Sequence, residues 1–259
     1  MKKLWLALWV CAALLPRAAA LSAAAAVTMD ADTGETLFAE NADSRLPMAS
    51  TTKIMTALVA LGEGDLDRVY TVKKQYAAVE GSSMYLEEGE RLTLRDTLYG
   101  LLLSSGNDAV AAVAGECGGE RAFVDKMNAK ARELGLTDTR FENPSGLPSD
   151  GHYTTARELA KITAAALRDP VFRDIVSTKT CTAAGRTLVN HNRLLSLYED
   201  AIGVKTGFTR AAGRCLVSAA ERNGRTVIAV TLNDPDDWND HMNLYDYGFA
   251  QLAEQTYTA

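Results

Sequence analysis

Pro47-Met48-Ala49-Ser50-Thr51-Thr52-Lys53-Ile54-Met55-Thr56-Ala57 is the stretch from which the rest of the chain is read. It places a serine and a lysine three residues apart at the head of an apolar, periodic run. Ile54, Leu58 and Leu61 recur at helical spacing, so a helix is expected over residues 50–62, with Gly62 as its stop. Residues i and i+3 share a helix face, so Lys53 can reach Ser50. A serine hydroxyl is a poor nucleophile until a base takes its proton. Lys53 can be that base only when neutral, and a free lysine titrates at about 10.4. Burial, the positive end of the helix and a neighbouring cation such as Lys205 would each lower that value. Taken alone, Ser50 is equally a plain N-cap and Lys53 a solvated residue. A lysine in the first turn is unfavourable beside the helix dipole, however, which favours a chemical role.

Two further strings give the pair its context. Ser105-Gly106-Asn107 follows the apolar segment Leu98 to Leu103 and opens another helix. Ser105 can pass a proton between Lys53 and a leaving amine. Asn107 can brace Lys53 and donate to a substrate amide carbonyl. The same tripeptide is also an ordinary interhelix turn. Lys205-Thr206-Gly207 lies on an expected strand, whose extended backbone can pair with a peptide. Lys205 and the Thr206 hydroxyl suit a carboxylate, and Gly207 permits close approach. A surface strand ending in glycine would read the same way. The weight rests on all three strings occurring in this order.

Outside these strings the pattern is strands, then helices, then strands. Ala26 to Asn41 reads as a hairpin turning at Gly34. Residues from about 65 to 150 are mostly helical: Leu94 to Leu103, with Thr93 and Asp96 as a capping pair, Asn107 to Ala114, and Glu120 to Leu134. Asn143 to Pro148 is a loop. Thr155 to Leu167 is a helix that Asp169-Pro170 breaks. Ile202 to Thr206, Arg214 to Ala220 and Thr226 to Leu232 are strands, the last two joined by Asn223-Gly224. Trp238 to Glu254 closes as an amphipathic helix. The expected fold class is α/β (α+β): one antiparallel sheet assembled from both ends of the chain, flanked by helices, with the helical subdomain inserted.

At 259 residues, 47% hydrophobic and 23% charged, the chain has ample material for a core. Its net charge of −6 argues against nucleic acid as a partner. Lys2 and Lys3, the apolar run Leu4 to Leu15, and Ala18 and Ala20 read as a secretory signal peptide over residues 1–20, leaving 21–259 as the mature domain outside the cytoplasm. An uncleaved anchor is the other reading, but the run is short for a membrane span. No later segment is apolar enough to cross a bilayer, so membrane contact is not supported beyond the signal peptide. Cys117, Cys181 and Cys215 have no metal-ligand spacing and read as buried thiols, although a Cys181–Cys215 bridge stays open. No metal and no cofactor is implied.

These strings and the text between them resemble the D-alanyl-D-alanine carboxypeptidase family of low-molecular-weight penicillin-binding proteins, within the penicillin-binding/β-lactamase superfamily. Gly81-Ser82-Ser83-Met84, Asn143-Pro144-Ser145-Gly146-Leu147 with Thr154-Thr155-Ala156, and Asn190-His191-Asn192-Arg193-Leu194-Leu195 are similar to the family's secondary signatures. The resemblance implies a β-lactamase/transpeptidase-like fold and a serine-type enzyme that removes the terminal D-alanine of peptidoglycan stem peptides through an acyl-enzyme, with β-lactams as inhibitors. It assigns Ser50 as nucleophile, Lys53 as base and Ser105 as proton relay. Asn107, Lys205, Thr206, Gly207, Phe208 and Ser83 become substrate-binding, with the backbone N–H groups of Ser50 and Phe208 as the oxyanion hole. Some members carry Arg or His where Phe208 stands, but only the main chain is needed there. Larger members continue into a β-rich second domain with a membrane-binding tail, and this sequence shows neither. A class A-like β-lactamase is the rival enzyme. Glu142 lies near the distance at which such an enzyme carries its deacylating glutamate, but Asn143-Pro144-Ser145 follows it rather than the expected pattern. A non-catalytic penicillin-fold binding module is the third reading.

Overall fold

A computed structural model describes residues 20–258. The leader expected over residues 1–20 lies, except for Ala20, outside the described residues. The chain opens with β1 (Ala25–Asp30) and β2 (Thr36–Glu40), followed by a 3-10 turn at Ala49–Thr52 that runs into α1 (Lys53–Gly62). β3 (Val69–Thr71), α2 (Lys74–Ala77), β4 (Arg91–Thr93), α3 (Leu94–Leu103), α4 (Asn107–Glu116) and α5 (Glu120–Glu133) form the inserted block. Then come α6 (Ala156–Leu167), α7 (Pro170–Ser177), β5 (Thr180–Ala183), β6 (Arg186–Val189) and α8 (Leu194–Leu197). β7 (Ala201–Thr209), β8 (Gly213–Arg222), β9 (Arg225–Leu232) and α9 (Asp237–Thr258) end the chain.

Five strands form one antiparallel sheet in the order β2-β1-β9-β8-β7. The first hairpin thus joins the last three strands, as the sequence pattern predicts. Local turn chemistry fixes the register. Asn223 and Gly224 both have positive φ, 53° and 74°, as a tight β8–β9 hairpin requires. Thr93 and Asp96 make the reciprocal bonds of a capping box at the head of α3.

Two expectations need adjusting. Asp169-Pro170 ends one helix but also starts another: Asp169 accepts from the N–H groups of Val171 and Phe172, and Pro170 takes the first helical position. The helix expected from Ser50 is a 3-10 turn as far as Thr52 and becomes α-helical only at Lys53. The inserted block also carries the short β3–β4 pair besides its helices.

α1 runs through the middle of the molecule, with Ile54, Ala57 and Ala60 wholly buried. One core includes sheet residues such as Val27, Val217 and Val230 and block residues such as Leu101, Val113 and Phe123. The head of α1 is thereby held between sheet and block. A second, smaller core packs α9 residues Leu244 and Tyr245 against the other face of the sheet. All three described cysteines are free. Among the described residues no helix is long and apolar enough to cross a membrane, and no cluster of side chains could hold a metal ion.

Candidate active site

The 3-10 turn carries Ser50 to the sheet edge. β7 is the edge strand, so its outer side is free for an added strand. Its Gly207 lies against the turn: a Cβ placed there would sit 2.9 Å from the Ser50 amide nitrogen and 3.1 Å from that of Thr51. Only glycine permits that approach. A cavity of about 340 Å3 opens at this junction, lined in part by Ser50, Ser82, Ser105, Thr206, Gly207 and Phe208. The Phe208 side chain is exposed.

Lys53 is wholly buried at the start of α1. Its Nζ donates to Ser50 Oγ at 3.0 Å, to Asn107 Oδ1 at 2.8 Å and to the Ser145 carbonyl at 3.0 Å. Burial, and then the charge of Lys205, hold its pKa well below the ordinary lysine range, against a smaller upward pull from Asp108. Lys205 is itself buried, and burial brings it down to about 7. Its Nζ donates to the Thr206 carbonyl at 2.8 Å, so it supports the strand from behind while Thr206 lines the cavity.

Asn107 serves three partners. Its Oδ1 takes the Lys53 bond, its Nδ2 donates to the Glu80 carbonyl at 2.6 Å, and its N–H donates to the Ser82 carbonyl at 2.7 Å. Ser105 is buried at φ +58°, a conformation that costs a non-glycine residue about 1–3 kcal/mol and clusters at functional sites. The structure therefore brings Ser50, Lys53, Ser105, Asn107, Thr206, Gly207 and Phe208 together, with Lys205 directly behind.

Ser83 departs from expectation. Its Oγ donates to Asp108 Oδ2 at 2.6 Å and accepts from the Tyr85 N–H, while its neighbour Ser82 faces the cavity. The cause is Asp108, fully buried in the first turn of α4, where the helix dipole favours an anion. Asp108 also accepts from the Met84 and Leu86 N–H groups and so ties the 83–86 segment down.

Two further supports lie outside the three catalytic strings. The Ser145 carbonyl holds Lys53 and is presented by a turn in which Asn143 Oδ1 accepts from the Ser145 and Gly146 N–H groups. His152 is buried; its Nδ1 accepts from the Glu142 N–H, so Nε2 carries the hydrogen and donates to Thr52 Oγ1. Thr52 Oγ1 in turn donates to the Ala49 carbonyl at 2.8 Å, immediately before the nucleophile. Burial keeps His152 neutral down to about pH 4. The Glu142 carboxylate is engaged by Ser149, Gly151 and Arg140, and takes no bond from Ser50 or Lys53.

Comparison with known proteins identifies the family. The family model described as D-alanyl-D-alanine carboxypeptidase matches residues 12–236. A D-alanyl-D-alanine carboxypeptidase of Streptomyces sp. strain K15 is 39% identical, over 89% of this chain and 88% of that protein. Carboxypeptidase DacF of Bacillus subtilis is 38% identical over 88% of this chain, which spans 62% of that longer relative. The crystal structure of the Streptomyces K15 DD-transpeptidase superposes with a TM-score of 0.86 at 38% identity, covering 90% of this chain and 99% of that one. On these grounds the chain belongs to the D-alanyl-D-alanine carboxypeptidase family.

Proposed function

We propose that the protein is a serine-type carboxypeptidase that removes the terminal D-alanine from peptidoglycan stem peptides ending in D-Ala-D-Ala, on the outer side of the cytoplasmic membrane. The carrying observation is the contact of Ser50 Oγ with a buried Lys53 that burial and Lys205 drive towards its neutral form. The substrate lies along the outer edge of β7, with its terminal carboxylate at Thr206 and the charge of Lys205 behind it. Neutral Lys53 takes the Ser50 proton as Oγ attacks the carbonyl carbon of the last peptide bond. The N–H groups of Ser50 and Phe208 hold the developing oxyanion. Ser105 delivers the proton to the departing amine, the C–N bond breaks and D-alanine leaves. Water then attacks the ester carbonyl and returns the proton to Ser50, freeing the shortened peptide.

A β-lactam presents the same carbonyl and carboxylate and acylates the same serine. The β-lactamase alternative needs a glutamate beside that ester, and Glu142 is held elsewhere. The test is D-alanine release from a diacyl-D-Ala-D-Ala peptide, together with covalent labelling by a fluorescent penicillin. Both are expected in the wild type and absent in Ser50→Ala. Equal labelling of Ser50→Ala overturns the assignment, and no labelling of either leaves only a binding module.

A further inference from the structure

The segment before β1 runs across the start of α9. The Ala24 N–H donates to the Leu232 and Asn233 carbonyls, both at 3.1 Å, and Leu21 packs against the second core. Between them, Ser22 meets two carboxylates. Its N–H donates to Asp240 Oδ2 at 2.7 Å, and its Oγ lies 2.6 Å from Asp234 Oδ1 and 3.0 Å from Asp240 Oδ2. A hydroxyl carries one hydrogen, so Ser22 cannot donate to both. Asp234 and Asp240 are both buried, and Asp234 Oδ2 has no hydrogen-bond partner. Their neighbours are supplied: Arg214 pairs with Asp237, and Asn239 donates to Asp236. Neither Asp234 nor Asp240 is paired with a Lys or Arg among the described residues. Burial foremost, with Asp240 close by, pushes the Asp234 carboxyl up to about 6. Two buried carboxylates around a single hydroxyl hydrogen lack a cation.

We propose that the Asp234–Asp240 pair is a binding site for the α-ammonium of Leu21, a group that forms when the leader is cut after Ala20. The inference rests on reading residues 1–20 as a leader and is independent of the carboxypeptidase reading. Hydrolysis of the Ala20–Leu21 bond by a leader peptidase consumes one water. It leaves a carboxylate on the leader and an ammonium on Leu21. That ammonium brings one positive charge and three hydrogens, which the pair lacks. Consecutive Cα atoms are about 3.8 Å apart, so the Leu21 nitrogen is within reach of the carboxylates that Ser22 already touches. A metal ion does not fit instead, since among the described residues no cluster of side chains could hold one. The site also decides between cuts. The small residues Ser22, Ala23 and Ala24 suit a later cleavage by sequence alone, but that cut removes Ser22 and leaves both carboxylates without their donors. Asp237 and Trp238, in the same stretch as the pair, line the catalytic cavity, so the new terminus is held beside the border of the groove.

The test starts from the full chain secreted by a bacterial host, with the N-terminus of the product read by mass spectrometry. Leu21 is expected. An uncut chain overturns the leader reading and the site with it, and a product that starts at Ala23 or later overturns the site. The product is then acetylated at about pH 6.5, where the α-amine reacts in preference to lysines. Acetylation is expected to lower Tm by about 2–4 °C at pH 7, the shift that one charge pair gives in a domain of this size. The difference is expected to shrink below about pH 6, as the carboxylates gain protons, and above about pH 8, as the amine loses its own. In the Asp234→Asn/Asp240→Asn variant it is expected to vanish. Equal Tm of the free and acetylated wild type across this range, or an undiminished difference in the variant, overturns the site. The wild-type comparison decides by itself if the variant does not fold.

Discussion

Gly146→Ala should disable the site from outside it. Gly146 has φ +87°, and a Cβ placed there would overlap the Ala49 carbonyl carbon and oxygen and lie 2.9 Å from Thr52 Oγ1. The left-handed conformation alone costs an alanine about 1–2 kcal/mol. Forcing an extra methyl into a packed position adds about 1–3 kcal/mol. Because the obstacle is backbone, no side-chain rotation relieves it, and the 3-10 turn must shift. At roughly 2–4 °C per kcal/mol for a domain of this size, a loss of about 3 kcal/mol lowers Tm by about 6–12 °C. The chemical effect is larger in proportion. Ala49 precedes Ser50, and Ser145, next to Gly146, holds Lys53. A misplacement of about 1 Å between nucleophile and base costs on the order of 100-fold in rate. Stopped-flow acylation by a fluorescent penicillin reads the rate, and a thermal melt reads stability. Gly185→Ala is the control, since Gly185 has φ +70° with nothing near its missing Cβ. It should lose only about 1–2 kcal/mol and acylate normally. If Gly146→Ala acylates at the control's rate, the turn is not held by this loop and the reasoning fails.

The two buried lysines predict a bell-shaped acylation profile. The rate rises with pH as Lys53 loses its proton at its lowered pKa, then falls as Lys205, brought down to about 7, loses the charge that holds the carboxylate. A flat rate between about pH 5 and pH 9 would remove Lys53 as the base. His241, wholly buried between Ser218 and Thr231, is held neutral down to about pH 3. With an unfolded value of 6.5, its stabilising contribution is complete above that pH and is lost as pH falls towards 3. Urea unfolding should therefore show the deficit of His241→Gln shrinking by about 2–3 kcal/mol between pH 7 and pH 4.5. A constant deficit would contradict the shift. Glu142→Gln should leave the lifetime of the penicillin acyl-enzyme within about twofold of wild type, as for an ordinary surface change; a much longer lifetime would bring back the β-lactamase-like role.

What was legible in the sequence was what short-range chemistry determines. Thr93 with Asp96 and Asn223-Gly224 act within four residues, so their text is their structure. Ser50 and Lys53 are similarly local, one helical turn apart. Ser83 was misread because the residue that decides its direction, Asp108, lies 25 positions away. The hardest features to foresee were those made by main chain. The Ser145 carbonyl reaches Lys53 across 92 positions, and any residue type supplies a carbonyl. A glycine at 146 signals a turn, but not that the turn lies against Ala49. His152 carries no signal in the sequence, yet its bond to Thr52 spans 100 positions, and Thr52 in turn bonds the Ala49 carbonyl, one residue before the nucleophile. The side chains that react are thus read directly, whereas the elements that aim them are found only once the chain has closed on itself. Rate in this site should therefore respond to Gly146 and His152 through the position of Ser50, with the three motifs themselves unchanged.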